Sequence, residues 1–153
     1  MLDTKNPLIA EFLKDHQQFS RLLYEISKLL EAGQTDKARR RATELDSVAG
    51  PHIAYEEAEL YPRLAKLGEE KVAEEMLVGQ HHGALDSLRE LLKNQSPNDE
   101  ELQSICEGFR DALTHAEHCG TLISLLTRLD EAEQAQSLAT LRRLREQGKK
   151  WTE

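Results

Sequence analysis

In the stretch GPHIAYEEAELYP, His52 and Glu56 stand one helical turn apart. An imidazole and a carboxylate at i and i+4 share one face of a helix. The same line carries Leu45, Val48, Leu60 and Leu64, so both polar groups are aimed at a core. A buried polar group without a partner costs about 1–3 kcal/mol, and a cation held between such groups offsets that cost. Three other histidine positions have the same character. His16 lies between Phe12 and Phe19, and His115 flanks a stripe of Ile105, Phe109, Ala112, Ala116, Ile123 and Leu126. The adjacent pair His81-His82 offers one more. His82 has Val78 four residues before it and Leu85, Leu88 and Leu92 after it, whereas His81 has Leu77 and Val78 upstream but Ala84 and Ser87 downstream. Apolar spacing therefore favours His82 over His81. A lone histidine on an apolar face is ordinarily a hydrogen-bonded core residue. One on each of four helices, with a carboxylate at ligand spacing, predicts a metal site built from His16, His52, Glu56, His82 and His115. Glu57 and Glu59 read as a solvated face.

These side chains need helices to position them. Leu8, Ile9, Phe12, Leu13, Phe19, Leu22, Leu23, Ile26, Leu29 and Leu30 recur at threes and fours, which predicts a helix over 7–32. Gly33 stops it, and Thr35 or Asp36 caps a second helix over 36–67. Gly50-Pro51 should kink that helix just before His52, because proline removes a backbone hydrogen bond. Tyr61-Pro62 should end or bend it, with Tyr61 packing near the site. A third helix is expected over 69–93 and a fourth over 99–128, after the turn NQSPNDEE. A shorter amphipathic piece, EAEQAQSLATLRRLREQ, follows, and GKKWTE reads as a frayed end. Short connections between long helices imply an all-α, up-down-up-down four-helix bundle with a short extra C-terminal helix. The 153 residues suit a single domain.

Composition narrows the function classes. Charged residues make up 31% and aromatic ones 5%, which favours helices over sheets. The net charge of -8 argues against nucleic acid as a partner, since that needs a basic face. No run is long and apolar enough to cross a bilayer, and the N-terminal residues do not resemble a signal peptide. Cys106 and Cys119 are too few for a disulfide framework. The expected location is cytoplasmic.

At the residues quoted above the chain resembles the hemerythrin-like (HHE cation-binding) family. That family's pattern is a histidine on helix one, H-x-x-x-E on helix two, a histidine on helix three and a second H-x-x-x-E on helix four. KDHQQFSRLL is similar to the first element, HIAYEEAELYP to the second and GQHHGALDSLRELL to the third. The resemblance implies a non-heme iron centre: two irons bridged by an oxo or hydroxo group and by Glu56, with an open position for dioxygen, nitric oxide or a peroxide. It implies binding, sensing or iron handling rather than catalysis.

The fourth element departs from the pattern. In THAEHCGTLISLL, Cys119 stands four residues after His115, where the family has an acid. Glu117 is turned by about 200° from His115 and should point away. Cys119 shares the face of His115, and His118 could reach it only from the flank. A Cys119 thiolate suits iron or zinc, while its plainer role is that of a small buried hydrophobe. Cys106, almost opposite His115, reads as packing. The departure leaves a single metal or zinc open. It also keeps two other readings in play: a peroxide-reducing enzyme using Cys119 beside a metal, and a metal-poor helical module that acts through its acidic surface on another protein.

Overall fold

The computed structural model describes residues 6–68, 70–71 and 81–153, without the side chains of 119–122. It is all-helical, with no strand among the described residues. Helix α1 is Pro7–Glu31, α2 is Thr35–Tyr55, α3 is Tyr61–Lys66, α4 is His82–Lys93, α5 is Asp99–Leu122 and α6 is Glu131–Gln147. A π-helical turn, Glu56–Leu60, joins α2 to α3, and a 3₁₀ segment, Ile123–Arg128, precedes α6. Helix α1 packs on α2 and α5, and α4 packs on α5 and α2. That ring of contacts is the expected bundle, with α6 laid against α2 and α1 as the extra helix. Most of 69–80, the start of the expected third helix, lies outside the described residues.

Local chemistry sets the helix ends. The Asn6 side chain accepts from the amides of Leu8 and Ile9 at 3.0 and 3.3 Å, ahead of Pro7 in the first turn. This satisfies donors that have no partner inside the helix. Gly33, at φ 73°, turns the chain into α2, and Thr35 is its first helical residue rather than its cap. Asp130 and Glu133 form a reciprocal capping box at the start of α6, and Gly148, at φ 60°, ends that helix.

Pro51 does not interrupt α2, which runs through it to Tyr55. The irregular turn comes afterwards. The Tyr61 amide donates to the Glu56 carbonyl, an i→i+5 bond in place of i→i+4. Pro62 supplies the reason. Its ring would crowd the carbonyl four residues back, and it has no N–H to give, so the turn widens by one residue and the helix continues as α3.

The end of the chain is not frayed. After Gly148 it folds back across α2. The Trp151 amide donates to the Asp46 carbonyl at 2.9 Å, and the Thr152 amide and hydroxyl donate to the two Asp46 carboxylate oxygens at 2.9 and 2.8 Å. Gly50 permits this approach, because a Cβ there would lie 1.8 Å from the Lys149 carbonyl oxygen.

The apolar interior is divided. One cluster gathers around Phe19, Leu23, Leu45, Leu88 and Phe109. The other gathers around Phe12, Tyr55, Leu64, Ile123 and Leu141. A layer of buried polar residues, the histidines and Glu56, joins them: His52 touches Phe12 of one and Phe19 of the other, and His81 touches Tyr61 of one and Trp151, which packs on the other.

Candidate metal centre

The polar residues of that layer come from four rods, with His52 and Glu56 on one continuous helical run. Helix α1 supplies His16 between Phe12 and Phe19, and α2 supplies His52. The π turn supplies Glu56, α5 supplies His115, and His81 stands immediately before α4. Glu56 is fully buried; His52, His81 and His115 are buried, and His16 is 9% exposed.

Glu56 divides its carboxylate between two groups of partners. Oε1 lies 2.8 Å from His52 Nε2. Oε2 accepts from the Tyr61 hydroxyl at 2.6 Å and lies 3.4 Å from His115 Nε2 and 3.8 Å from His81 Nε2. On the first side, the rings of His16 and His52 are 5.6 Å apart, with Phe12 and Phe19 within 4.9 and 5.3 Å of the His52 ring. On the second side, His81 Nε2 and His115 Nε2 face each other at 2.9 Å, with the Tyr61 oxygen 3.0 and 3.3 Å from them.

The π turn creates half of this arrangement. In a regular α-helix the fifth residue on lies about 140° around the axis. An i→i+5 turn brings it back over the first, so Tyr61 stands above Glu56. Glu57 gains a role by the same route. Its Oε1 lies 3.1 Å from His81 Nδ1, so it is not simply a solvated acid. An ionised carboxylate only accepts, so Nδ1–H donates to it, and in the neutral ring this tautomer leaves Nε2 with a lone pair.

The donor set fits a cation. The phenol has one proton, and at 2.6 Å it goes to Glu56, so the lone pair of His81 Nε2 converges on His115 Nε2 and the Tyr61 oxygen. His16 Nδ1 and both nitrogens of His52 are buried without a hydrogen-bond partner; the 2.8 Å approach of His52 to Glu56 is off the hydrogen-bond line. Glu56, His81 and His115 offer ligand atoms all within 4.8 Å of one another. Orphaned buried nitrogens of this kind are costly unless something electrophilic meets them.

The sequence placed the third histidine one residue late. His82 is exposed, and His81 occupies the buried position. His118 and Glu117 are exposed on α5. Cys119 lies in α5, but its side chain is outside the described residues. Cys106, on the same helix, is half-buried and packs against the Phe19 cluster. Sequence reasoning missed what Tyr61 and Glu57 do. The signal available was Pro62, which makes a widened turn economical one residue after Tyr61.

A family model, the Hemerythrin HHE cation binding domain, matches residues 8–147. The chain belongs to this family. No curated protein and no solved structure matches the chain. The family's cation-binding description and the buried His/Glu cluster together indicate metal binding. Of the family's second H-x-x-x-E, this hemerythrin-like chain retains His115, and the Tyr61 hydroxyl reaches Glu56, His81 and His115 at 2.6, 3.0 and 3.3 Å. No helix among the described residues is long and apolar enough to cross a membrane.

Protonation follows from burial. His16 is pushed down to about 4, by desolvation first and by neighbouring His52 second, against the pull of Glu56 and a backbone hydrogen bond to Ala116. His115 is lowered, mainly by desolvation, although Glu56 opposes the shift. Burial alone would raise the Glu56 carboxyl, but the nearby His52 and His115 imidazoles hold it well below the usual range. Neutral imidazoles beside an ionised carboxylate are the states that bind a metal. All three values are depressed by folding, so the stability they contribute is present above the unfolded values and lost as pH falls. For His16 that window runs from about 6.5 down to about 4; for Glu56 it lies below 4.5. The metal-free protein is expected to lose on the order of 3 kcal/mol through His16 alone between these limits. Urea unfolding at pH 7 and pH 4.5 measures this, and an unchanged midpoint contradicts it.

Proposed function

We propose that this hemerythrin-like protein is an iron protein that binds or senses a small oxidant or gas: dioxygen, nitric oxide or a peroxide. The observation that carries the reading is the division of Glu56. One oxygen faces His52, near His16, and the other faces His81, His115 and Tyr61. A carboxylate shared in this way suits two cations. His16, His52 and Glu56 would hold one, and Glu56, His81, His115 and Tyr61 the other. Iron in that position would supply a redox-active Lewis acid with room for one small ligand.

The chain's own residues do the rest. Phe12 and Phe19 pack on the His52 ring and keep water from the first side. Glu57 holds the proton on His81 Nδ1, so that Nε2 presents its lone pair. Tyr61 donates to Glu56 and would become a ligand by releasing that proton to solvent as the metal binds. This makes the second side less dependent on a carboxylate at position 119.

Iron titration under anaerobic conditions, followed by oxidation, tests the reading. About two irons per chain are expected, and a chain that takes up none would sink it. Tyr61→Phe separates the two roles of the phenol. If Tyr61 is a ligand, the oxidised wild-type protein shows a broad visible charge-transfer band that the variant lacks, and the variant holds its second iron more weakly. A variant with the wild-type spectrum would leave Tyr61 as a hydrogen-bond donor to Glu56 and nothing more.

A further inference from the structure

The segment after α6 does more than close the fold. Trp151 lies edge-on to His81, with ring centroids 6.5 Å apart, and edge-on to Phe19 at 6.1 Å. A cavity of about 320 Å³ opens between α2, the start of α4 and residues 149–153, and His81 and Glu57 are part of its lining. Lys149 and Lys150 line it from the strap side. Three hydrogen bonds fix the strap, and all of them end on Asp46. This acid is buried, on the same helix as His52 but away from the cluster of Glu56, His81 and His115.

We propose that residues 149–153 form a wall that controls which ligands reach His81, with Trp151 as the barrier and Asp46 as the latch. The proposal rests on the reading of the cluster as a metal centre that takes a small ligand. The strap leaves a passage suited to small ligands, lined by two lysines, Lys149 and Lys150, and two carboxylates, Glu57 and Glu153, so that size rather than charge selects among them. Ligands much larger than azide or a peroxide meet the Trp151 ring before they meet His81. A second groove, lined by His16, Arg21, Tyr24 and Glu117, lies on the α1–α5 side and is the competing entrance.

Two full-length variants release the strap by different means. Gly50→Ala drives a methyl group into the Lys149 carbonyl while replacing a poor helix former with a good one. Asp46→Ala removes the carboxylate that Thr152 binds. Trp151 is the only tryptophan of the chain, so its emission reports release directly. In both variants a red shift and stronger acrylamide quenching are expected. In the iron-free proteins, diethyl pyrocarbonate should modify His81 several-fold faster than in the wild type, while the already exposed His82 keeps its rate. In the iron-loaded proteins, azide should associate several-fold faster at an unchanged metal-to-chain ratio. A freed tryptophan with unchanged His81 labelling and unchanged azide association overturns the proposal. Emission that does not shift in either variant also overturns it, because the latch would not be holding the strap. A wild-type chain that binds no iron defeats the metal reading instead, and the iron-free labelling then decides the strap by itself.

Discussion

Glu56→Gln is expected to abolish tight metal binding on both sides of the centre while leaving the helices intact. The substitution keeps the volume of the side chain and removes its charge. It also replaces one acceptor oxygen with an N–H donor that must point at His52 or at the His81–His115–Tyr61 group. Either orientation spoils one side directly, and the lost charge weakens the other. Removing one partner from a buried charged group costs about 3–5 kcal/mol, which corresponds to a weakening of roughly a hundred- to several-thousand-fold. Metal analysis after gel filtration should find the variant nearly empty. A ligand that binds only the folded state must stabilise it, so iron should raise the melting temperature of the wild type and not that of the variant. Retention of iron by Glu56→Gln would show that the carboxylate does not join the two sides.

His81→Ala and His82→Ala should differ sharply although the residues are neighbours. One residue turns a helix by about 100°, and here that rotation separates the buried His81 from the exposed His82. His81 has Glu56, Tyr61 and His115 around Nε2 and Glu57 at Nδ1. Its removal should leave the second side with too few donors, so that the metal-to-chain ratio falls and the visible spectrum changes. His82→Ala should keep both. The opposite pattern would return the third ligand to His82 and withdraw Glu57 from the site.

Much of the fold was legible because its causes are local or periodic. Pro7 opens α1, Gly33 ends the first hairpin arm, and the stripe from Leu8 to Leu30 needs one buried face. The burial of His16, His52 and Glu56 was legible for the same reason: Phe12, His16 and Phe19 obey one period, and so do Val48, His52 and Glu56. The rest depended on facts that no window of sequence contains. Tyr61 reaches Glu56 only through an i→i+5 turn, which breaks the 3.6-residue period used to read faces. The apolar spacing around His81-His82 pointed one residue too far. Downstream, Leu85 and Leu92 are only half-buried, whereas Ala84 and Ser87, on the line of His81, are buried. Small residues mark that face because the helices approach closely there: a Cβ on Gly108 would lie 1.8 Å from Ser87 Oγ. Trp151 and Thr152 looked frayed because their anchor, Asp46, is more than a hundred residues away.

The polar layer splits the greasy interior into two bodies, and this bears on how the chain comes apart. Without an ion, contact between those bodies passes through imidazoles and one carboxylate, which gain little from meeting each other and gain from meeting water. Each body can then loosen without dragging the other along. A cation spanning the layer would rivet four rods at mid-height and make melting a single event. Iron would thus act as a keystone for the chain's cooperativity as well as a site for its chemistry.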